Sequence, residues 1–370
     1  MKSTMIPRQR MLAALDFQPV DMVPLQIYPS PAGIFEHGQK LIDLIRRCGH
    51  DFDDLSHLQM PNVPAEDFDP DGRYHKFVTD AWGTTWEYRI FGIWGHRKGY
   101  PLADISKLDT YRAPTIARLQ GEELARARAA GEARRQRYFH VGGGISLFET
   151  IQSLRPFEDV LIDITLDTPE INRLADMVLD YYAVVVDNAL AMDADAVAVG
   201  DDYGTQQALL MSPVVWRRFF KPRYQALLEP VVRAGKKILF HSCGCIGDIL
   251  GDIRDVGANA IWPQLPLFDH RELARRCRDL GLAVQMHPNR GDLMQNATPQ
   301  QVRDYILRLM DEFTPLAGGA WLYLEVDPGF PWANVEIMFE TAMELRGVSA
   351  SAIGRRDGGA PRAALPGQRG

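Results

Sequence analysis

The nine residues Lys237–Cys245 read KILFHSCGC, and they place two candidate metal ligands at the end of a predicted strand. The mostly apolar run 237–240 is typical of a short buried strand. His241 and Cys243 follow two positions apart, before Gly244 breaks the extended run. Because residues i and i+2 of an extended chain point the same way, both side chains can reach a single ion or substrate. A zinc site that does chemistry usually takes three protein ligands, so a third has to come from elsewhere in the chain.

Composition limits the kind of protein this can be. The chain has 370 residues, 46% of them hydrophobic, which is enough for a large core in one α/β barrel or in two ordinary domains. The net charge of -7 arises from 41 basic and 48 acidic side chains without long runs of one sign, a pattern that argues against nucleic-acid binding and against binding to anionic membranes. Residues 1–10 lack the apolar core of a signal peptide, and no window reaches the roughly 18 uninterrupted apolar residues of a membrane span. We therefore expect a cytoplasmic protein.

The four cysteines are Cys48, Cys243, Cys245 and Cys277. They are too few for a disulfide framework in a chain of this length, so they are better interpreted as ligands, nucleophiles or core residues. Only Cys243 and Cys245 have a setting that indicates chemistry, because the other two lie in helical patterns.

Strand patterns alternate with helical patterns along most of the chain. No strand-to-helix turn carries the glycine fingerprint of a Rossmann fold. The predicted fold class is therefore α/β, a single (β/α)8 TIM barrel over residues 1–347, with an open doubly wound sheet as the alternative. The predicted strands cover residues 21–28, 52–58, 138–142, 196–200, 237–240, 260–262, 283–286 and 320–324.

Residues 62–115 interrupt this alternation. The segments Tyr74–Val78, Trp82–Tyr88 and Phe91–His96 are short, aromatic and separated by glycines, and they predict a β-hairpin insertion after the second strand. Its aromatic side chains either cover the mouth of the barrel or form a surface for a partner. Residues 348–370 are rich in Gly, Ala, Arg and Pro without an apolar period, which predicts a disordered tail.

The third metal ligand is expected at the mouth, because active sites of such barrels lie at the C-terminal ends of the strands. The last predicted strand brings Glu325 to the same rim as His241 and Cys243, and these three are the predicted metal ligands. The helix predicted after Gly244 favours a thiolate through its N-terminal dipole. Asp327 and Cys245 are the alternative third ligands, because strand ends placed from sequence are uncertain by two or more residues.

Further polar side chains are predicted at strand ends. Because side chains of a strand alternate, one of Asp201 and Asp202 must face the mouth and the other the helix layer. Asp202 is the candidate catalytic acid, and capping a helix or ordering a loop is the alternative role for it. His287 is the second catalytic candidate. The predicted substrate-binding residues are Tyr28, Tyr203, Gln206 and Gln264.

Four short motifs carry a resemblance to a known family. They are FHSCG at 240–244, DAWG at 80–83, GDDYG at 200–204 followed by LMSP at 210–213, and PWAN at 331–334. In their order and spacing they resemble the uroporphyrinogen decarboxylase superfamily, and within it most of all the corrinoid-dependent methyltransferases. The resemblance covers nearly the whole chain up to about Leu345.

The resemblance implies a single (β/α)8 barrel and a zinc site. In the corrinoid-dependent methyltransferases, zinc is held by a His-x-Cys pair and a later cysteine, and His241 and Cys243 match the pair. Near the position of the later cysteine this chain has LEVD at 324–327, and replacing a cysteine by Glu325 makes the site harder. The arginine-rich motif that binds porphyrinogen in the decarboxylases is replaced by LQIYPSPAG at 25–33, which disfavours that substrate.

Together these features predict a zinc-dependent methyltransferase that demethylates a small methoxylated substrate and passes the methyl group to a corrinoid (cobalamin) cofactor. The sequence contains no cobalamin module, so we expect a partner protein to supply the corrinoid in trans. The alternatives are a methylcorrinoid-to-thiol methyltransferase, a metal-free decarboxylase of the same superfamily, and a binding barrel without catalysis. The resemblance and the aromatic insertion are also compatible with a homodimer.

Overall fold

The computed structural model describes residues 3–347, so the predicted disordered tail at 348–370 lies outside the described residues. No helix among residues 3–347 combines the length and apolarity needed to cross a membrane. The strands are β1 Leu25–Pro29, β2 Lys76–Thr79, β3 Thr85–Tyr88, β4 His96–Gly99, β5 Val141–Ile145, β6 Ala196–Gly200, β7 Lys237–Ser242, β8 Ala260–Pro263, β9 Ala283–Met286 and β10 Ala320–Val326. The helices are α1 Pro7–Leu15, α2 Pro31–His37, α3 Gln39–Cys48, α4 Gly121–Arg135, α5 Leu147–Leu154, α6 Phe157–Leu166, α7 Pro169–Ala191, α8 Pro213–Phe219, α9 Lys221–Arg233, α10 Leu250–Asp255, α11 His270–Leu280, α12 Asp292–Asn296, α13 Pro299–Phe313 and α14 Trp332–Leu345.

The main sheet confirms the predicted fold class. Seven parallel strands follow the order β1-β10-β9-β8-β7-β6-β5 in one curled sheet, with helices packed around it. The residues of β9 are all buried, as expected for a parallel strand covered on both faces. The arrangement is that of a TIM barrel, and its strand ends converge on one mouth.

Several helices begin at a cap that the sequence encodes directly. Ser212 and Thr298 each accept a hydrogen bond from a backbone N–H in the first turn of α8 and α13, and proline follows each of them at the first helical position. These caps fix where the chain leaves the loops at the mouth and enters the outer helices.

The predicted second strand at Phe52–Leu58 is wrong, because no residue of this segment is in a strand. Side chains take over part of its role beside β1. The backbone N–H of Leu25 donates to Oδ2 of Asp51 at 2.7 Å, and that of Ile27 donates to Nδ1 of His50 at 3.1 Å. The backbone of Asp51 also bonds to Leu25 and to Phe139, which connects β1 with the chain entering β5. A strand pattern alone does not reveal that side chains will satisfy these backbone groups.

A buried ion-pair network lies at the start of β1. The Asp51 carboxylate, fully buried, pairs with Arg10 and with Arg346, whose Nη1 atom lies 2.8 Å from Oδ2. Arg346 also donates to the carbonyl oxygen of Val23. The network joins helix α1, the segment after α3 and the end of α14, so it connects the first and last parts of the barrel.

The insertion is a three-stranded antiparallel sheet in the order β2-β3-β4, which confirms the predicted hairpins. It packs against helix α5, since the Thr84 hydroxyl donates to the carbonyl oxygen of Ser153 at 2.6 Å and the backbone N–H of Leu102 donates to that of Leu154 at 2.9 Å. On its other side Phe91 contacts Phe35 of α2. The insertion therefore bridges the helices that follow β1 and β5, across the place where the second strand was expected.

Candidate metal centre and active site

Strands β6 and β7 bring the candidate ligands together. They are neighbours in the sheet, and Gly200 pairs in register with His241. Asp202 and Cys243 lie two residues further along their segments, and the backbone N–H of Cys243 donates to Oδ1 of Asp202 at 2.8 Å. Two adjacent strand ends thus present their polar residues side by side at the mouth.

Two glycines allow this close approach. Gly244 has φ +83, and a Cβ atom there would lie 2.0 Å from the backbone carbon of Gly204. A Cβ atom on Gly204 would in turn lie 2.6 Å from the backbone of Gly244. The two backbones are in direct contact, and side chains at either position would push the strand ends apart.

The orientation of His241 fixes which of its nitrogens faces the cluster. Its Nδ1 atom lies 2.9 Å from the carbonyl oxygen of Trp262, and a carbonyl oxygen can only accept a hydrogen bond. The neutral ring therefore carries its proton on Nδ1 and directs the lone pair of Nε2 toward Asp202 and Cys243. The Trp262 ring packs against the imidazole, with 4.0 Å between centroids. A backbone-bonded second nitrogen is typical of metal-ligating histidines.

Three donor atoms of different chemistry meet at this point. Nε2 of His241 lies 3.3 Å from Oδ1 of Asp202 and 3.5 Å from Sγ of Cys243. Burial, with the nearby Asp202 carboxylate, raises the pKa of the Cys243 thiol to about 12. Burial alone would raise the pKa of Asp202, but the His241 ring, when it is protonated and donates from Nε2, and the hydrogen bonds from Cys243 lower it. Without a cation, the site holds a carboxylate against a thiol.

The spacing of these donors fits a metal ion. One ligand atom from each of Asp202, His241 and Cys243 lies within 4.8 Å of the other two. A tetrahedral zinc ion bound at about 2.0 Å to nitrogen and about 2.3 Å to sulfur separates those two atoms by roughly 3.5 Å. The nitrogen-to-sulfur distance in this cluster is 3.5 Å, so the residues fit zinc with one position left for a substrate.

The predicted third ligand Glu325 is not part of this cluster. Its Oε1 atom lies 3.0 Å from Nη1 of Arg290, which also reaches the alternative ligand Asp327 at 3.3 Å. Cys245 is likewise outside the cluster, with its backbone N–H bonded to the carbonyl oxygen of Thr205. The third member of the cluster is instead Asp202, which the sequence had indicated as a catalytic acid, and a ligand role of Glu325 stays a prediction.

The neighbouring Asp201 has a structural role. Its fully buried carboxylate accepts hydrogen bonds from the backbone N–H groups of Leu147 at 2.9 Å and Glu149 at 2.8 Å, and from the Tyr224 hydroxyl. Burial raises its pKa well above the usual range. Asp201 thus satisfies the first turn of α5 while Asp202 faces the mouth, as the alternation along the strand predicts.

The predicted substrate-binding residues separate into two groups. Tyr203 is 0% exposed and stacks on Phe148 in the core, so the prediction that it contacts a substrate is wrong. Tyr28, in contrast, is exposed at the end of β1 and lines the cavity of the barrel. Gln206 and Gln264 meet at the rim, where Oε1 of Gln264 accepts the backbone N–H of Gly244 at 3.0 Å.

His287 is held by the backbone. Its Nε2 atom lies 3.0 Å from the carbonyl oxygen of Pro263 and its Nδ1 atom 3.1 Å from that of Pro288. Burial lowers the pKa of the ring to about 4. Its position beside the mouth is as predicted, but both nitrogens face backbone carbonyls, which leaves its catalytic role a prediction.

A cavity of about 780 Å³ lies inside the barrel, and His241 is the member of the cluster that lines it. His241 and Trp262 line it at the mouth, and Trp321 and Tyr323 of β10 form an aromatic wall. The small residues Gly144, Ala198 and Gly200 line it on β5 and β6. A flat ring of the size of a substituted benzene fits such a space, bounded by aromatic side chains on one side and small residues on the other.

Two arginines near the site were missed from the sequence. Arg290 pairs with Glu325 at 3.0 Å, and its positive charge lowers the pKa of both Glu325 and Cys243 against the effect of burial. Arg97 of the insertion reaches Glu149 of α5 at 2.5 Å. Each arginine lies in a loop or an inserted strand, and neither is part of a pattern that marks it in the sequence. The one hint for Arg290 was that it lies three residues after His287, in the loop that follows a predicted strand.

The sequence places the chain in a family. Residues 128–345 match the model of the family described as uroporphyrinogen decarboxylase (URO-D), and the chain belongs to that family. This confirms the superfamily resemblance carried by the FHSCG and GDDYG motifs. No significant match is found among curated proteins.

One of the similar solved structures supports the barrel fold. A methyltransferase from Methanosarcina mazei superposes with a TM-score of 0.61 at 16% identity, over 92% of this chain and 98% of its own. A dihydropteroate synthase from Xanthomonas albilineans matches with a TM-score of 0.32 at 16% identity, over 54% of this chain and 66% of its own. The first likeness supports the fold along almost the entire length of both chains.

Proposed function

We propose that the protein is a zinc-dependent methyltransferase that demethylates a small methoxylated substrate and passes the methyl group to a corrinoid carried by a separate protein. The observation that carries this proposal is the cluster of Asp202, His241 and Cys243 at the mouth of the barrel. Membership of the URO-D family and the methyltransferase fold neighbour support a methyltransferase-type enzyme.

The donor set favours an ether substrate over a thiol. A zinc ion held by Asp202, His241 and Cys243 would supply Lewis acidity to the departing oxygen of the substrate. One thiolate, one imidazole and one carboxylate leave the ion harder than a site with two thiolates, and harder ions prefer oxygen. In the proposed reaction the methyl carbon–oxygen bond would break, the reduced corrinoid would accept the methyl group, and the departing oxygen would take up a proton.

The chain's own residues prepare this site. The Trp262 carbonyl fixes the tautomer of His241, and the Trp262 ring shields the imidazole. The backbone N–H of Cys243 orients the Asp202 carboxylate. Arg290 adds a positive charge beside Cys243, which helps to hold a thiolate. The exposed rim formed by Gln206 and Gln264 leaves the mouth accessible to a partner.

The test combines metal content with methyl transfer. Protein purified with zinc available should hold close to one equivalent, and Cys243→Ala should lose it, whereas Cys245→Ala should keep it because Cys245 lies outside the cluster. Methyl transfer from a panel of methoxylated aromatics is followed by the loss of the cob(I)alamin spectrum. Well under one equivalent of zinc, with Cys243→Ala changing neither metal nor activity, would refute the proposal. Activity as a decarboxylase without metal, or with thiols only, would assign one of the alternative functions.

A further inference from the structure

The interior of the barrel contains polar groups that the metal centre does not use. Gln285 of β9 is 5% exposed and lines the cavity, and none of the hydrogen bonds within residues 3–347 involves its side-chain amide. It pairs in register with Trp321 of β10, which lines the same cavity. An amide that faces a cavity without a protein partner can bond to a ligand or to water there.

Gln26 presents a second free amide nitrogen to the same space. Nε1 of Trp321, which can only donate, lies 3.2 Å from Oε1 of Gln26. This bond fixes the orientation of the amide, and it leaves the Nε2 hydrogens of Gln26 without a partner among the described residues. Gln26, Trp321 and Gln285 therefore form a continuous polar strip across β1, β10 and β9.

His50 adds a third donor beside this strip. It is 8% exposed, lines the cavity, and accepts the backbone N–H of Ile27 at Nδ1. The neutral ring must then carry its proton on Nε2, and that atom has no hydrogen-bond partner in the described part of the chain. Burial lowers the pKa of His50 to about 4, so the ring is neutral at pH 7.

Gln26, at one end of the strip, lies on the strand farthest from His241 within this part of the sheet. In the sheet order β1-β10-β9-β8-β7, Gln26 on β1 is four strands from His241 on β7. Both residues line one cavity of about 780 Å³. A ring that lies in this cavity can present one substituent to His241 and the opposite one to the strip.

The charge balance of the cavity selects a neutral group. The lining residues Arg134 and Asp53 pair with each other at 2.6 Å, so no unpaired cation among the described lining residues offers itself to an anion. Moving a carboxylate from water into such a site is costly, whereas a hydroxyl or carbonyl oxygen needs only hydrogen bonds.

We propose that Gln26, Gln285 and His50 form a substrate subsite that binds the hydroxyl or carbonyl oxygen of a neutral methoxylated aromatic, with its ring against Trp321. The subsite deepens the methyltransferase function, and it rests on that function only for the placement of the methoxy group toward His241. The substrate class it assigns is a methoxyphenol or a methoxyaryl ketone, rather than a methoxybenzoate.

Direct binding tests the subsite without methyl transfer. The zinc-loaded protein is titrated calorimetrically with four methoxybenzene compounds that differ only in the group opposite the methoxy group. These are 4-methoxyphenol (hydroxyl), 4-methoxyacetophenone (carbonyl), methoxybenzene (no polar group) and 4-methoxybenzoate (carboxylate). We expect either the phenol or the ketone to bind about tenfold more tightly than methoxybenzene, and the benzoate to bind more weakly than that preferred ligand. Which of the two binds better distinguishes the hydroxyl from the carbonyl.

Two variants of His50 separate recognition from structure. His50→Asn keeps an acceptor near the position of Nδ1 for Ile27 but removes the Nε2 donor, and His50→Gln does the reverse. If the subsite is correct, His50→Asn and Gln285→Leu should each reduce the preference for the phenol or ketone over methoxybenzene about three- to tenfold. His50→Gln should retain this preference. Gln300→Leu, at an exposed position of α13, is the control that leaves the preference unchanged. The preference is a ratio measured on folded molecules, so partial unfolding of a variant does not alter it.

The outcomes also distinguish this subsite from the proposed function. Equal binding of the four compounds, tightest binding of the benzoate, or an undiminished preference in both Gln285→Leu and His50→Asn would overturn the subsite. If none of the compounds binds while other methyl donors still react with cob(I)alamin, the subsite is wrong and the methyltransferase function stands. If the preference is present but no methyl transfer occurs, the subsite stands and the proposed function fails.

Discussion

The guanidinium of Arg290 lies 3.0 Å from the carboxylate of Glu325, which is outside the cluster of metal-capable side chains. Burial raises the pKa of Glu325 to about 7, although Arg290 acts in the opposite direction. Its second oxygen, Oε2, is buried without a hydrogen-bond partner among the described residues. Asp202 instead has its carboxylate against both His241 and Cys243.

This geometry predicts that Asp202, and not Glu325, holds the metal. Asp202→Asn should weaken zinc affinity by more than about 100-fold, because it removes a charged ligand and not only an outer-sphere partner. Glu325→Gln should change the affinity by less than about tenfold, since it alters only a group paired with Arg290. Competition with a chromophoric chelator measures both affinities.

Each variant is a control for the other, because both exchange a carboxylate for an amide of the same size at the mouth. A large loss of zinc in Glu325→Gln with little loss in Asp202→Asn would restore the ligand set expected from the sequence. Cobalt(II) substitution adds a second readout, in which the sulfur-to-cobalt absorption should disappear in Cys243→Ala and persist in Glu325→Gln.

A second prediction concerns the contact between Gly204 and Gly244. Gly244→Ala should destabilise the protein and lower its zinc content, because a Cβ atom there would overlap the backbone of Gly204. The left-handed conformation alone costs roughly 1–2 kcal/mol for a residue other than glycine. Gly281→Ala provides a matched control, since Gly281 has φ +70 but only an arginine side chain within 4 Å.

Thermal unfolding and zinc titration should separate the two glycines. Gly281→Ala is expected to lose a modest amount of stability and to bind zinc normally. Equal zinc affinity in Gly244→Ala and the wild type would show that the contact does not shape the site.

The sequence predicted the barrel and two of the three residues of the cluster, for reasons that can be identified. Alternating strands and helices are encoded locally, and so is the His241-x-Cys243 pair, because two residues of one strand share a face. The third ligand depends on which strand ends are neighbours and on the shear between them. Asp202 lies on the strand next to His241, whereas Glu325 lies three strands away in the order of the sheet.

Other differences between the sequence prediction and the structure also arise from tertiary contacts. Residues 52–58 have the composition of a strand, but the side chains of His50 and Asp51 already bond to the backbone of β1. Tyr203 follows Asp202 directly, so it points away from the mouth and into the aromatic core. The free amide of Gln285 is visible only once the cavity is known, because glutamine in a buried strand has no sequence signature of its own.

The buried His50 predicts a pH dependence of stability. The pKa of its ring is lowered from 6.5 to about 4, with burial as the main cause, while Asp53 and Asp51 act in the opposite direction. A histidine with a depressed folded-state pKa stabilises the fold above its unfolded pKa, and this contribution is lost as the pH falls from 6.5 toward 4. Over that window the loss is about 3 kcal/mol for this one side chain.

Chemical denaturation at a series of pH values measures this effect. His50→Gln removes the titrating ring, so its free energy of unfolding should decline about 3 kcal/mol less between pH 6.5 and pH 4 than that of the wild type. His96→Gln is the control, because His96 is exposed and should leave the pH dependence as it is. Parallel curves for the wild type and His50→Gln would show that the ring is not buried in its neutral form.

The last prediction concerns Asp51, whose carboxylate compensates Arg10 and Arg346 and accepts the backbone N–H of Leu25. Asp51→Ala leaves two buried arginines without a counter-ion and should cost about 3–5 kcal/mol. Asp187→Ala breaks the exposed pair with Arg118 and should cost no more than about 1 kcal/mol. Asp51→Asn should lose an intermediate amount of stability, because its amide oxygen can still accept the Leu25 N–H although the side chain no longer balances the charge of the arginines. Denaturant midpoints that rank Asp51→Ala, Asp51→Asn and Asp187→Ala from least to most stable would show that this carboxylate takes over the role of the missing strand. Equal midpoints for the three variants would refute it.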